Sequence, residues 1–107
     1  MAEPAAGPPL ACQLVPAERR ERRKQVVRLL RERCREQEAL PNGYGLRFDA
    51  QDGVLADLAT LVELEHQCCP WLHFELTVAP DNGPCWLRLT GPDGTPQFLE
   101  TELGLGS

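Results

Sequence analysis

The sequence predicts an α+β domain, in which an antiparallel sheet of two hairpins has helices packed on one face, in the order α-ββ-α-ββ-α. Three segments have apolar residues at helical spacing, and the two segments between them alternate apolar and polar residues around a turn. The chain has 107 residues, which suits one domain with one modest core. Strands that arrive as hairpins pair antiparallel, so we expect a single antiparallel sheet.

The first predicted helix follows a segment without a periodic apolar pattern. Residues 1–13 are rich in Ala, Pro and Gly, and we predict a disordered tail there and a compact domain over residues 14–107. Pro16 suits the first position of a helix running to about Cys34. The helix has an apolar stripe of Val26, Val27, Leu30 and Cys34. Residues 18–24 are polar on all sides, so we expect this stretch to be exposed and easily frayed.

Residues 35–49 predict the first hairpin. Asn42-Gly43 is a strong signal for a two-residue turn. With that turn, Glu38 lies opposite Arg47 as a cross-strand pair. The second strand turns three apolar side chains to one face, namely Tyr44, Leu46 and Phe48.

The second helix is predicted from about Gly53 to Cys69, with Asp52 as its N-cap and Pro70 as its stop. Its buried side consists of Val54, Leu55, Leu58, Leu61 and Val62. The last helix is predicted to have Thr95 as its cap, Pro96 at its first position and Gly104 at its end.

The second hairpin turns at residues 80–84. Pairing Val78 with Cys85 places every apolar position on one face and sets Glu75 opposite Arg88. In that register the outer sheet face has Trp71, His73 and Trp86. Exposed tryptophans favour a homodimer through that face, although Trp71 could instead fold under the helix end.

Composition and charge narrow the class of protein. Hydrophobic residues are 42% of the chain, and no apolar run approaches the roughly 20 residues of a membrane span. Residues 1–16 have no Lys or Arg, which fits neither a secretory signal nor an Arg-rich transit peptide, so we expect a cytoplasmic protein. Residues 36–107 have two basic residues against twelve acids. An acidic body argues against nucleic acid as a general partner, because phosphate attraction needs a basic face. The basic start of the first helix is interpreted as a solvated face or one docked on the protein's own acidic body, with nucleic acid or an acidic partner as the alternative.

Five cysteines in a cytoplasmic chain point to reduced thiols rather than a disulfide framework. Glu65 falls in the middle of the apolar face of the second helix, where a carboxylate is costly unless it is paired or acts as a ligand. Cys68 and Cys69 follow at i+3 and i+4, His66 lies at the edge of the stripe, and His73 comes shortly after the helix. We therefore predict a metal site of Glu65, Cys68 and Cys69, with His66 and His73 as additional candidate ligands.

The chemistry of this cluster suits a soft cation of the Zn, Cu or Hg class, because thiolates select such ions. The negative end of the helix dipole favours bound positive charge and argues against an activated cysteine nucleophile, so we expect binding rather than catalysis. The alternative is an interaction or regulatory module in which the cysteines are structural and Glu65 pairs with an arginine. Cys34 and Cys85 are predicted core residues, and Cys12 a thiol in the tail.

Two segments carry a resemblance to a known group. Residues 64–71, LEHQCCPW, precede residues 83–94, GPCWLRLTGPDG. Together with residues 40–48 they resemble a group of short, uncharacterised bacterial proteins with an LExxCCPF-like segment, over about residues 14–103. The resemblance implies a bacterial cytoplasmic protein. It also implies that Glu65, Cys68 and Cys69 act together. Trp71 stands where the group has Phe, and His66 replaces a basic residue, which weakens His66 as a ligand.

Overall fold

The computed structural model describes residues 16–51 and 53–106. The three helices are α1 (Ala17–Arg33), α2 (Val54–Cys68) and α3 (Thr95–Leu103). The four strands are β1 (Cys34–Leu40), β2 (Gly43–Phe48), β3 (His73–Val78) and β4 (Cys85–Thr90). This order is the predicted α-ββ-α-ββ-α, so the predicted fold class is confirmed. The predicted disordered tail, the thiol at Cys12 and the Asp52 cap lie outside the described residues.

The four strands form one antiparallel sheet in the order β1-β2-β4-β3. The two hairpins join where β2 pairs with β4, which leaves β1 and β3 as the edge strands. Alternate side chains of β4 are buried, and they belong to the same apolar core as the inner sides of the helices. The core therefore lies between one face of the sheet and the helices. None of the described helices has the length and hydropathy of a bilayer span.

The second hairpin has the predicted register. Val78 pairs with Cys85, and Glu75 pairs with Arg88. Asp81 and Asn82 have positive φ angles of 59° and 58°, which their short polar side chains tolerate in a tight turn. Strand alternation and turn chemistry agree here, which is why the sequence was sufficient to predict the pairing.

The strand register of the first hairpin differs from the predicted register by two residues. Leu40 pairs with Gly43, so the turn is Pro41-Asn42 rather than Asn42-Gly43. Arg47 therefore lies opposite Glu36 instead of Glu38, and its Nε donates to Glu36 Oε1 at 3.0 Å. Gly43 is a strand residue, and a Cβ there would overlap the Leu89 carbonyl of β4. Close approach of a neighbouring strand, not a turn, requires this glycine.

The helix ends refine the predictions for α2 and α3. Helix α2 ends at Cys68, and Cys69 is its non-helical C-cap, directly before Pro70. Thr95 is the first residue of α3 rather than its cap, because Gly94 in the left-handed region precedes the helix and Thr95 Oγ1 donates to the Pro92 carbonyl at 2.6 Å. Gly104, with φ 69°, ends α3 as predicted.

Trp71 lies on the helix side of the sheet. Its ring meets Phe98 of α3 edge to face, with centroids 4.8 Å apart, and both residues pack against the core. The prediction that Trp71 lies on the outer face is wrong, and the observed ring contact is with α3 rather than with the end of the second helix that the alternative named. Strand β3 begins only at His73, so the alternation of its side chains does not extend back to residue 71.

Candidate metal centre

The C-terminal end of α2 buries the three residues at the centre of the predicted site. Glu65 and Cys69 are 0% exposed, and Cys68 is 4% exposed. The Cys69 N–H donates to the Glu65 carbonyl at 2.6 Å, and the Leu72 N–H donates to the Cys69 carbonyl at 3.0 Å. These two bonds continue the helix into a tight turn over Pro70. The turn holds the adjacent cysteines within the apolar core.

Glu65 is paired with Arg23 of α1. Arg23 Nε donates to Glu65 Oε2, and Arg23 Nη2 donates to Glu65 Oε1 at 3.1 Å. Arg23 Nη2 also lies 3.9 Å from Glu102 Oε1 of α3. A two-point contact of this kind satisfies both carboxylate oxygens and is among the stronger polar contacts in proteins. The arginine pairing considered as an alternative for Glu65 is therefore present, and it joins α1 to α2.

Arg23 is the site residue that sequence reasoning missed. The signal was available, because Arg23 precedes Val26, Val27 and Leu30 by three, four and seven residues, which places it on the same face of α1. Arg19, one turn earlier, donates to the Gln67 side chain of α2. The stretch expected to fray as a solvated face therefore has two side chains that contact α2.

The two histidines lie outside the buried group. His66 is exposed on α2, and His73 is exposed at the start of β3, opposite Thr90. Within residues 16–51 and 53–106, no three side chains of His, Cys, Asp or Glu converge closely enough to hold a metal ion. The donors that the described part of the chain offers at this end of α2 are thus the two thiols, beside a carboxylate engaged by arginine.

The other described cysteines have different surroundings. Cys85 is fully buried in β4 and pairs with Phe48 and Val78. It lies at the turn of the second hairpin, whereas the C-terminus of α2 leads into the opposite end of that hairpin, at His73. Cys34 is partly buried, and burial raises the pKa of its thiol, while its Sγ donates to the Glu36 carbonyl at 3.3 Å. A raised pKa leaves Cys34 protonated at neutral pH, so it is not an activated nucleophile. No disulfide joins any of the four described cysteines.

One buried donor at this end of the molecule lacks an acceptor. The Trp71 Nε1–H, two residues beyond Cys69, is buried and has no hydrogen-bond partner within the described part of the chain. A buried donor left in this state costs about 1–3 kcal/mol, so its presence calls for an explanation.

No model of a protein family matches the chain, and no curated protein or solved structure matches it. The function is therefore inferred from the geometry of the site.

Proposed function

We propose that this is a small non-enzymatic protein that binds a thiophilic cation through Cys68 and Cys69. The observation that carries the proposal is the burial of two adjacent thiols at the C-terminal end of α2. Adjacent residues supply two soft donors without any cost of closing a loop between them. The negative end of the helix dipole adds a favourable field for a bound cation.

The number of metal ligands in this site favours particular ions. Structural Zn(II) sites take four protein ligands, and catalytic ones take three ligands and a water. Cu(I) and Hg(II) are softer and are satisfied by two thiolates. Because the described residues present two thiols without a third converging donor, we propose Cu(I) or Hg(II) ahead of Zn(II).

Glu65 can ligate the ion only if it gives up its contact with Arg23. Both of its oxygens accept hydrogen bonds from Arg23, so the carboxylate becomes an ion ligand only if it exchanges Arg23 for the ion. The proposal therefore places the ion on the two sulfurs. Glu65 holds α2 against α1 and serves as a third donor only through that exchange.

Two further considerations support the proposal. Ion binding requires both cysteines to be reduced, which is the usual state of thiols in the cytoplasm, the compartment that we propose. A sulfur that has become a thiolate accepts hydrogen bonds more strongly than a thiol. We propose that the Trp71 N–H, which is buried two residues along the chain from Cys69, donates to such a sulfur once the ion is bound.

The test is a competition titration of the reduced full-length protein under anaerobic conditions. Cu(I) is delivered from a chromophoric chelator and Hg(II) from a thiol buffer, and native mass spectrometry counts the ions bound. We expect one ion per chain in the wild type and in Cys85→Ser, a matched control that replaces an equally buried cysteine. Cys68→Ser and Cys69→Ser should each lose the ion to the competitor. If both variants retain the ion as the wild type does, the proposal is wrong.

The same observations favour a second candidate, an interaction module with structural cysteines. The Arg23–Glu65 pair explains the buried carboxylate without an ion, and both cysteines belong to the apolar core. Leu76 and Val78 are 42% and 50% exposed, although they share the face of β3 that pairs with buried residues of β4. They remain exposed because β3 is an edge strand.

We propose a second copy of the chain as the partner for this candidate, docked along β3 rather than on the outer face expected from the sequence. The test is sedimentation velocity on Val78→Lys, with Thr77→Lys on the opposite face of β3 as the matched control. A dimer lost only in Val78→Lys supports this candidate. A monomeric wild type removes it.

A further inference from the structure

A cavity of about 550 Å³ lies between α1, the sheet and the C-terminal end of α3. This volume is in the range of small-molecule sites, which runs from roughly 300 to 1,000 Å³. Its floor consists of buried leucines from four elements and the segment after α3, namely Leu30, Leu46, Leu61, Leu103 and Leu105. The floor is therefore suited to an apolar group.

The mouth of the cavity is basic. Lys24, Arg28 and Arg31 line it with exposed side chains, and none of the three has an acidic side chain within ion-pair distance among the described residues. Two acids, Glu32 and Glu102, also line the cavity, and Glu102 lies beside Arg23. In a chain of net charge −5, three such cations beside an apolar floor are complementary to an anion.

Arg31 is held at this mouth by the end of α3. A Cβ built on Gly104 would lie 2.9 Å from Arg31 Cζ, so the guanidinium rests against the backbone at that glycine. Gly104 has φ 69°, which itself favours glycine. The contact also places a cation at the negative end of the α3 dipole. One of the three cations is therefore positioned before any ligand arrives.

From these observations we propose that the cavity binds a small amphipathic anion. A carboxylate or phosphate head lies on Lys24, Arg28 and Arg31, and an alkyl or aryl tail lies on the leucine floor. Neither Cys68 nor Cys69 lines this cavity, so the anion site is distinct from the ion site, although Arg23, the partner of Glu65, also lines the cavity.

The first test is isothermal titration calorimetry of the full-length protein with three ten-carbon probes: decanoate, decyl phosphate and decyltrimethylammonium. We expect saturable one-to-one binding of an anionic probe and at least about tenfold weaker binding of the cationic probe, because charge-assisted contacts form only with the anions. The tighter of the two anions identifies the head group. Equal binding of the cationic probe would overturn the proposal, since tail burial alone would then explain the association.

Variants and a chemical probe provide the second test. Lys24→Gln combined with Arg28→Gln should weaken decanoate binding about tenfold, whereas Arg22→Gln, which removes the same charge from an exposed position outside the cavity, should leave it unchanged. Cys34 lines the cavity, so bound decanoate should slow its alkylation by iodoacetamide, as measured by peptide mass mapping. An equal loss of affinity in Arg22→Gln, or alkylation at an unchanged rate, contradicts the proposal.

Discussion

Helix α1 has two basic faces that differ in what they contact. On one face, Arg23 is only 15% exposed and makes a two-point ion pair with a fully buried carboxylate of α2. On the other face, Lys24, Arg28 and Arg31 are exposed at the mouth of a cavity and lie beyond ion-pair distance of every described acid. Adjacent residues of one charge run thus have opposite roles, because a helix turns successive side chains by about 100°.

This contrast separates the charges that stabilise the fold from those that remain available for binding. A paired charge in a buried setting contributes to the free energy of unfolding, since removing either partner leaves the other uncompensated. An exposed charge without a partner contributes little to stability, and its field acts on molecules in solution. The predictions below test that contrast in order of decreasing effect.

Arg23→Gln should lower the free energy of unfolding by about 3–5 kcal/mol, because Glu65 would be left as a buried carboxylate without its cation. Urea denaturation followed by circular dichroism measures the change. Arg22→Gln removes an exposed charge from the adjacent position and should stay within about 0.5 kcal/mol of the wild type. Equal costs for the two variants would show that Arg23 does not act through Glu65.

Glu65→Gln should cost less, about 1–3 kcal/mol, because glutamine keeps one acceptor for Arg23 and the partly exposed guanidinium can turn towards water. The same urea experiment ranks the two variants. A larger loss in Glu65→Gln than in Arg23→Gln would contradict the burial argument. In the ion titration, unchanged affinity supports a site of two sulfurs. A loss of about 10- to 100-fold would instead assign Glu65 as a ligand or its orienting neighbour.

Tyr44 reports whether Glu100 of α3 is held in a hydrogen bond away from the basic mouth of the cavity. Its hydroxyl donates to Glu100 Oε2 at 2.7 Å, and this bond raises the pKa of Tyr44. The folded pKa exceeds the unfolded one, so the stabilisation is complete below the unfolded pKa and is lost as pH rises through the folded pKa. Tyr44 is the single tyrosine, so phenolate absorbance follows it directly. We expect Glu100→Gln to lower the titration midpoint, and an unchanged midpoint would exclude the bond.

Arg28→Gln should have the smallest effect, and its sign should be opposite to that of Arg23→Gln. Arg28 has two like-charged helical neighbours, Lys24 and Arg31, against one acid, Glu32. Its removal should therefore raise the free energy of unfolding by about 0.2–0.5 kcal/mol at low salt. The gain should disappear at high salt, where exposed charges are screened. A clear loss of stability would show that Arg28 has a partner within the fold.

The element order, the fold class and the register of the second hairpin could be predicted from the amino-acid sequence alone. Each depends on local signals that the tertiary structure does not contradict: apolar spacing, a stop at Pro70, an end at Gly104, and alternation on both sides of residues 80–84. Local periodicity also placed Glu65 on the buried face of α2. The burial of Cys68 follows from the same spacing, whereas Cys69 lies beyond the helix and is buried through the turn over Pro70.

Packing between distant segments set the register of the first hairpin, the position of Trp71 and the partner of Glu65. Gly43 looked like a turn glycine, but it lies in β2, where the close approach of β4 requires it, and the first hairpin pairs two residues away from the predicted register. Trp71 precedes β3 and packs on Phe98 of a helix distant in sequence. The partner of Glu65 lies 42 residues away, on a helix whose charge run looked uniform. Contacts between segments far apart in the chain depend on how the elements pack, and the spacing within one segment does not contain that information.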